Sequence, residues 1–404
     1  LQYFIQRQEF LMNVPTIDLR DPRFQTDKYA LIEELRAQGP FARTVDGAVV
    51  FFNQDDVSHV LKCEDFRFAF SEINPERSPY LAKAIEHELL NMHGEPHARL
   101  SRLLKKALRD RVFEDIRSKI EDIVSGLIEE MPADGEFEFC AGFADPLPAR
   151  VLGPMFGIPY ERVDGLSAWI QVGGRKSDAL LSGVGIEEVE DANRNIHTYL
   201  RGLLAERKDN LGEDLLSELI QAEIDGDKMS EDELVYLVGE LASAGVDTTR
   251  AQLPLILHAL LTHPNELAKL RGDTGLSLRA VDEGMRWAPL PWALPHAATR
   301  ASEYRGVSFK EGDLAFVLVP AANRDPNVVE EPNAFNITRD RAKHFAFGGG
   351  MHSCPGAQLA RMEMSSALAS LVERLDVIEL VEAEWEVGNV GRTLKSLRLR
   401  IRKG

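Results

Sequence analysis

The chain has 404 residues, 44% of them hydrophobic and 28% charged, with a formal net charge of −18. This composition belongs to a soluble globular protein, and the acidic balance argues against general nucleic-acid binding. No apolar run is long enough to span a membrane, and the three cysteines, Cys63, Cys140 and Cys354, are too sparse for a disulfide framework, so a reducing cytoplasm is the expected compartment.

The first residues lack the basic-then-apolar pattern of a secretory signal; residues 1–14 read as a loose N-terminal arm. No linker, repeat or low-complexity tract divides the rest, so residues 1–404 are expected to form one large domain. Asp27 to Gln38 reads as a helix closed by Gly39-Pro40. Ala48–Phe52 reads as a strand, Asp55–Leu61 as a short helix and Phe66–Leu81 as irregular. A basic helix opens at His97, with Arg99, Arg102, Lys105, Lys106, Arg109 and Arg111 against a single acid, Asp110. On so acidic a chain this is either a solvated helix face or a patch that steers an acidic partner. Helical patterns follow at Phe113–Met131, Ala144–Phe156 and Glu187–Arg207. Strand signals gather near Tyr304–Val319 and Trp385–Ile401. The fold class is therefore mostly α (α+β), with a minor sheet component.

Ser230-Glu231-Asp232-Glu233 is a capping box. The helical pattern that follows runs toward His263-Pro264, roughly 34 residues or about 50 Å. Inside it Ala244-Gly245-Val246-Asp247-Thr248-Thr249 is weak helix filler. Such a stretch makes either a groove for a small ligand or a break between two helices. Pro254 should kink the helix further on. Glu283 and Arg286 share one helix face at i,i+3, a spacing that is ordinarily a surface ion pair.

In Phe347-Gly348-Gly349-Gly350-Met351-His352-Ser353-Cys354-Pro355-Gly356 a cysteine follows three glycines and precedes a proline, which suits the first position of a helix. Free N–H groups and the helix dipole favour a thiolate there, and glycines let the backbone approach a flat, bulky ligand. Cys354 is thus either a buried structural residue or the thiolate ligand of a haem iron.

Phe347, Gly350, Cys354 and Gly356 fit Phe-x-x-Gly-x-x-x-Cys-x-Gly, which resembles the haem-binding loop of the cytochrome P450 family. Ala244–Thr249 resembles that family's oxygen-activation motif, and Glu283 and Arg286 its paired-charge motif. The resemblance implies a long central helix, a minor β-sheet subdomain, and haem b (iron protoporphyrin IX) held axially by Cys354. Carried over residue by residue, it gives Asp247 and Thr248 proton delivery to bound dioxygen. It puts Ala244, Phe347, Gly348 and Gly356 beside the haem. His97, Arg99, His296 and His352 become candidates for its propionates. Two departures appear, Ser101 and His296, where the family commonly has arginine, so Arg99 or Arg102 is expected to help. Arg339 should join Glu283 and Arg286 in a structural lock. Glu240, Leu241, Trp292, Ala293 and Leu294 become candidate substrate contacts. Glu240 is unusual there: its carboxylate would either select a polar or basic substrate group or pair with a neighbouring element.

The activity implied is a monooxygenase that inserts one oxygen atom of O2 into a small hydrophobic or aromatic substrate, by hydroxylation or oxidative dealkylation. Electrons would come from NAD(P)H through a separate ferredoxin and reductase, because the cysteines left over cannot hold an iron–sulfur cluster. The competing readings are a peroxide-driven haem-thiolate oxygenase and a non-catalytic haem-based ligand sensor. Zinc and phosphate-loop motifs are absent from the sequence.

Overall fold

The computed structural model describes residues 14–19, 21–69, 73–108, 110–176, 179–180, 183–340, 343–388 and 391–404. The arm expected over residues 1–14 lies, save Val14, outside the described residues, as does Arg109. The first helices are α1 (Lys28–Gln38), α2 (Gln54–Lys62), α3 (Pro79–His87), α4 (Gly94–Ala107), α5 (Asp110–Glu130) and α6 (Pro146–Phe156). After them come α7 (Tyr160–Gly173), α8 (Ile186–Asp209), α9 (Glu231–Thr262), α10 (Ser277–Trp287) and α11 (Ala357–Arg374). None of the described helices is long and apolar enough to cross a membrane.

The sheet component is small, as expected. Strands β1 (Thr16–Ile17), β2 (Phe41–Thr44), β3 (Val49–Phe51), β4 (Phe66–Phe68), β5 (Asp134–Glu138), β6 (Ala293–Ala298) and β7 (Leu314–Leu318) precede a long C-terminal pair, β8 (Leu375–Gly388) and β9 (Gly391–Lys403). The largest sheet has the order β1-β2-β3-β7-β6-β4 and a second β8-β9-β5, beside two small hairpins at Glu223–Lys228 and Ser302–Phe309. In the first, β6 lies antiparallel to both β7 and β4, with His296 opposite Ala315 on one side and Phe68 on the other. The region read as irregular from Phe66 therefore supplies an edge strand and α3. Pro79 sits in the first turn of α3, where its missing N–H costs nothing.

Helix α9 is continuous over 32 residues and begins with the expected capping box: Ser230 Oγ accepts the Glu233 N–H and Glu233 accepts the Ser230 N–H. Gly245 and Pro254 do not interrupt it. Their intrinsic cost is about 1 and about 3 kcal/mol, whereas each buried leucine or isoleucine is worth about 1.5–3 kcal/mol. Leu234, Val235, Val238, Ala242 and Val246 join one core with Leu200 and Leu204 of α8, Leu166 and Ile170 of α7, and Leu103 of α4. Leu253, Ile256, Leu257 and Leu260 join another with Ile120 and Val124 of α5 and Leu368 and Leu371 of α11. Tertiary burial outweighs local propensity at both ends. Between the two cores, Ala244 and Thr248, one turn apart on α9, are exposed.

Candidate active site

The cysteine loop is fixed from three sides. Gly348 and Gly350 take left-handed φ values of +67° and +66°, and a Cβ on Gly350 would run into the Leu61 carbonyl at the end of α2. The Cys354 N–H donates to the Phe347 carbonyl at 2.9 Å, closing the loop on itself. Arg361 lies over the Phe347 ring at 4.5 Å and donates to Asp282 of α10 at 2.7 Å. Helix α11 starts at Ala357, with Gly356 as its N-cap, two residues later than Pro355 suggested. Cys354 is accessible to solvent, but its sulfur is set back among protein atoms. That burial raises the thiol pKa, while the Gly356 N–H and the Arg361 guanidinium act in the opposite direction. A bare thiol here is protonated at neutral pH, and binding a metal ion would release the proton.

Beneath the loop, Glu283 and Arg286 are 1% and 0% exposed, so this is not a surface pair. Arg286 Nη2 donates to Glu283 Oε1 at 2.7 Å and Nε to Oε2 at 2.8 Å. Arg286 also donates to the Pro332, Ala334 and Asn323 carbonyls. Arg339 closes the group, its Nε 3.3 Å from Glu283 Oε2 and its Nη1 on the Glu330 carbonyl at 2.6 Å. Two charges buried this deeply are tolerable because the Arg286 nitrogens all find acceptors and both Glu283 oxygens accept hydrogen bonds.

Histidines gather beside Cys354. His352 lies edge-on to His97 at 4.8 Å and to His93 at 5.3 Å, with His352 Nε2 3.4 Å from His93 Nδ1. Ser101 Oγ is 3.3 Å from His97 Nε2. His296 packs edge-on against Phe68 at 5.7 Å. Burial drives the pKa of His296 and of His352 down to about 4, and for His352 the neighbouring His97, His93 and His296 push the same way. Arg99 does not join this group. It donates to Asp227 Oδ2 at 2.7 Å and to Glu233 Oε1 at 2.5 Å, because two residues along a helix from His97 is the opposite face. Arg102 pairs with Glu95. The basic run on α4 is thus partly matched by carboxylates, while Lys105 is exposed.

On the bare turn of α9, Thr248 Oγ1 donates to the Ala244 carbonyl at 2.6 Å. Asp247 accepts from Arg250 Nη2 at 2.5 Å and Nε at 3.0 Å. Arg250 also lies 3.5 Å from Asp145, just before α6. A Cβ on Gly174, just after α7, would meet the Asp247 carboxylate at 2.8 Å, so the backbone passes close to it. Glu240 accepts the Leu89 N–H at 2.8 Å and the Leu90 N–H at 3.4 Å. Its carboxylate is therefore occupied by a neighbouring loop, and burial, then the Glu88 charge, raise its pKa well above the ordinary range. Leu241 packs against the α7–α8 core. Trp292 packs on Phe24 at 5.0 Å and, with Ala293, against the α1 cluster; Leu294 lies in the adjoining cluster with Phe51 and Val317. His93, Arg250 and Asp145 were not singled out from the sequence. His93 stands four residues before His97, one turn along α4, and that spacing is the signal that would have found it.

A family model described as Cytochrome P450 matches residues 178–274 and 277–387. Among curated proteins, "Cytochrome P450 107B1" of Saccharopolyspora erythraea is 32% identical, covering 96% of this chain and 98% of that one. "Epothilone C/D epoxidase" of Sorangium cellulosum is 31% identical, covering 91% of each. Among solved structures, P450BioI in complex with an acyl carrier protein ligated to hexadec-9Z-enoic acid superposes with a TM-score of 0.87 at 26% identity, covering 94% of this chain and 100% of that one. The motif loop, the buried charge lock and the long helix above them agree with these likenesses, and the chain belongs to the cytochrome P450 family of monooxygenases.

Proposed function

We propose that the chain is a haem-thiolate monooxygenase that inserts one oxygen atom of dioxygen into a hydrophobic organic molecule, with electrons from NAD(P)H passed on by a separate ferredoxin-type protein. The observation that carries this reading is the pairing of an accessible cysteine with a cluster of imidazoles two residues away on the same loop and on α4. That donor set fits haem: one soft ligand for the metal and N–H groups for acidic edge substituents. When bound, haem supplies the dioxygen chemistry at its iron.

The chain's own residues do the rest. Cys354 would hold the haem iron through its sulfur, its backbone fixed by the N–H bond to the Phe347 carbonyl. His97 would donate toward the haem carboxylates, and His352, whose Nε2 lies against His93 Nδ1, would align the histidine cluster beside them. The Thr248 hydroxyl, tethered to the Ala244 carbonyl, offers a fixed polar contact beside the small Ala244 side chain. Asp247 brings protons inward; it does so by letting go of Arg250, which Asp145 then helps to hold. Gly348, Gly356 and Ala244 leave room for the flat ligand. Leu241 and the β6 residues Ala293 and Leu294 border the substrate space with apolar surface, so a hydrophobic substrate is favoured. Lys105 and its neighbours on α4 offer the remaining positive charge to an acidic electron donor.

The test is replacement of the sulfur. Cys354→Ala should lose the reduced, carbon-monoxide absorbance typical of thiolate ligation, and with it turnover in the presence of dioxygen, NAD(P)H, ferredoxin and reductase. Unchanged colour and absorbance in that variant would overturn the reading.

A further inference from the structure

Four of the chain's ten histidines, His93, His97, His296 and His352, belong to one neighbourhood. Among the described residues no carboxylate bonds to any of the four rings, and no group of side chains there could hold a metal ion. Clustered imidazoles without an acidic partner call for an anion from outside. His93 is the member with no other explanation. It is the N-cap residue of α4, in extended backbone at φ −139° and ψ 161°, and its side chain makes no capping bond. Ser, Thr, Asp or Asn at that position would accept a first-turn N–H and be worth about 0.5–2 kcal/mol to the helix. The chain forgoes that contribution and turns the ring toward His352, with Nδ1 at 3.4 Å from its Nε2. A neutral imidazole keeps one N–H; with Nδ1 occupied by His352, Nε2 of His93 is left to donate. Ser101 is already engaged with His97 and has no charge to offer. His296 is a ring where a guanidinium would reach further.

We propose that His93 is a further haem-carboxylate ligand, donating through Nε2 at the rim of the site beside His97 and His352. This assignment rests on the haem-thiolate reading and adds a residue to it. It gives the carboxylate end of the cofactor a set of ring donors in which the helix cap of α4 has been exchanged for a cofactor contact.

The experiment follows haem transfer from the purified holoprotein to excess apomyoglobin. His93→Phe keeps a ring and removes the N–H; it should release haem roughly tenfold faster, the loss of one hydrogen bond to a charged group. His93→Asp separates the two roles. It restores a helix cap, so the thermal unfolding midpoint of the protein stays level or rises, yet it places a negative charge at the carboxylates and should release haem faster still. A purely structural His93 predicts the reverse, with His93→Asp holding haem at least as well as wild type. Reconstitution with haem dimethyl ester supplies the third arm: an ester carbonyl still accepts a hydrogen bond but carries no charge, so the gap between wild type and His93→Phe should shrink severalfold. Equal release of ordinary haem by wild type and both variants, or a gap undiminished by esterification, overturns the assignment. Those results would leave the thiolate reading intact, since that reading stands or falls on Cys354→Ala.

Discussion

Glu190 of α8 holds Leu81 of α3: its carboxylate accepts the Leu81 N–H at 2.8 Å and the Tyr80 N–H at 2.9 Å. The N-cap of α3, Ser78, makes no side-chain capping bond, and first-turn donors are satisfied from another helix. Just past the other end, Glu240 of α9 takes the Leu89 and Leu90 N–H groups. Leu81 also packs with Ala179 and Val189, and Arg194 lies 5.5 Å over the Tyr80 ring. Helix α3 is therefore fastened to α8 at its start and to α9 at its end, where the His87 ring also stacks on Tyr236 at 4.5 Å.

Removing either carboxylate should loosen a different end of α3. Glu190→Ala should raise amide hydrogen exchange at Tyr80 and Leu81 about tenfold or more, and Glu240→Ala should do so at Leu89 and Leu90, since each loses hydrogen bonds to a charged acceptor. Exchange over residues 79–92 that is indifferent to both changes would contradict the fastening.

The buried lock should be intolerant of half-removal. Glu283→Ala leaves the Arg286 guanidinium charged in the interior and frees the Asn336 N–H that Glu283 accepts at 2.8 Å. The expected loss is about 3–5 kcal/mol, read as a lower denaturation midpoint and a smaller fraction of protein carrying haem. A soluble variant with the wild-type midpoint would show that the lock is dispensable.

Asp247→Asn keeps the shape of the side chain and removes its charge from Arg250. Turnover driven by dioxygen and reductase should slow by about a hundredfold, the scale of one lost general acid–base group, while the resting absorbance is unaltered. Turnover driven by hydrogen peroxide should be spared, because that oxidant brings its own protons. Equal slowing of both would assign Asp247 to architecture.

Glu363 on α11 is 2% exposed, and its Oε2 has no partner among the described residues. Burial pushes its pKa from 4.5 up to about 8. The folded state thus holds a proton that the unfolded chain has lost between those values. The stability tied to this group is complete below pH 4.5 and disappears as pH rises through about 8. Glu363→Gln removes the titration. Its thermal midpoint relative to wild type should be flat at acid pH and climb by a few degrees toward pH 8. A pH-independent difference would mean that Glu363 titrates alike in the folded and unfolded chain.

What was legible in the sequence was local. The cysteine loop, the capping box of α9 and the i,i+3 pair of α10 are each written within a dozen residues, and each takes the geometry its spacing implies. Pro254 does not end the helix, because the cost of a proline is a local quantity, while the burial of Leu253, Leu255 and Ile256 that outweighs it depends on distant elements. Arg99 misled because charge drew attention to it, although helical periodicity already placed it away from His97 and placed Ser101 on the same side. Glu240 takes the second of its two expected roles and bonds a neighbouring loop, whereas the carboxylate at the start of α3 was illegible, since Glu190 lies more than a hundred residues from the N–H groups it caps. So was the burial of Glu363, which rests on how α5, α9 and α10 close around α11.

Helix α9 belongs to two separate packing clusters, and its bare turn at Ala244 and Thr248 lies between them. Substitutions in the α7–α8 cluster can therefore reshape the surroundings of that turn on one side while the other cluster keeps the cysteine loop and its charge lock in register. A chain built this way could acquire a new substrate by drifting on one side of a single rod, without retracing the steps that made it an oxidant.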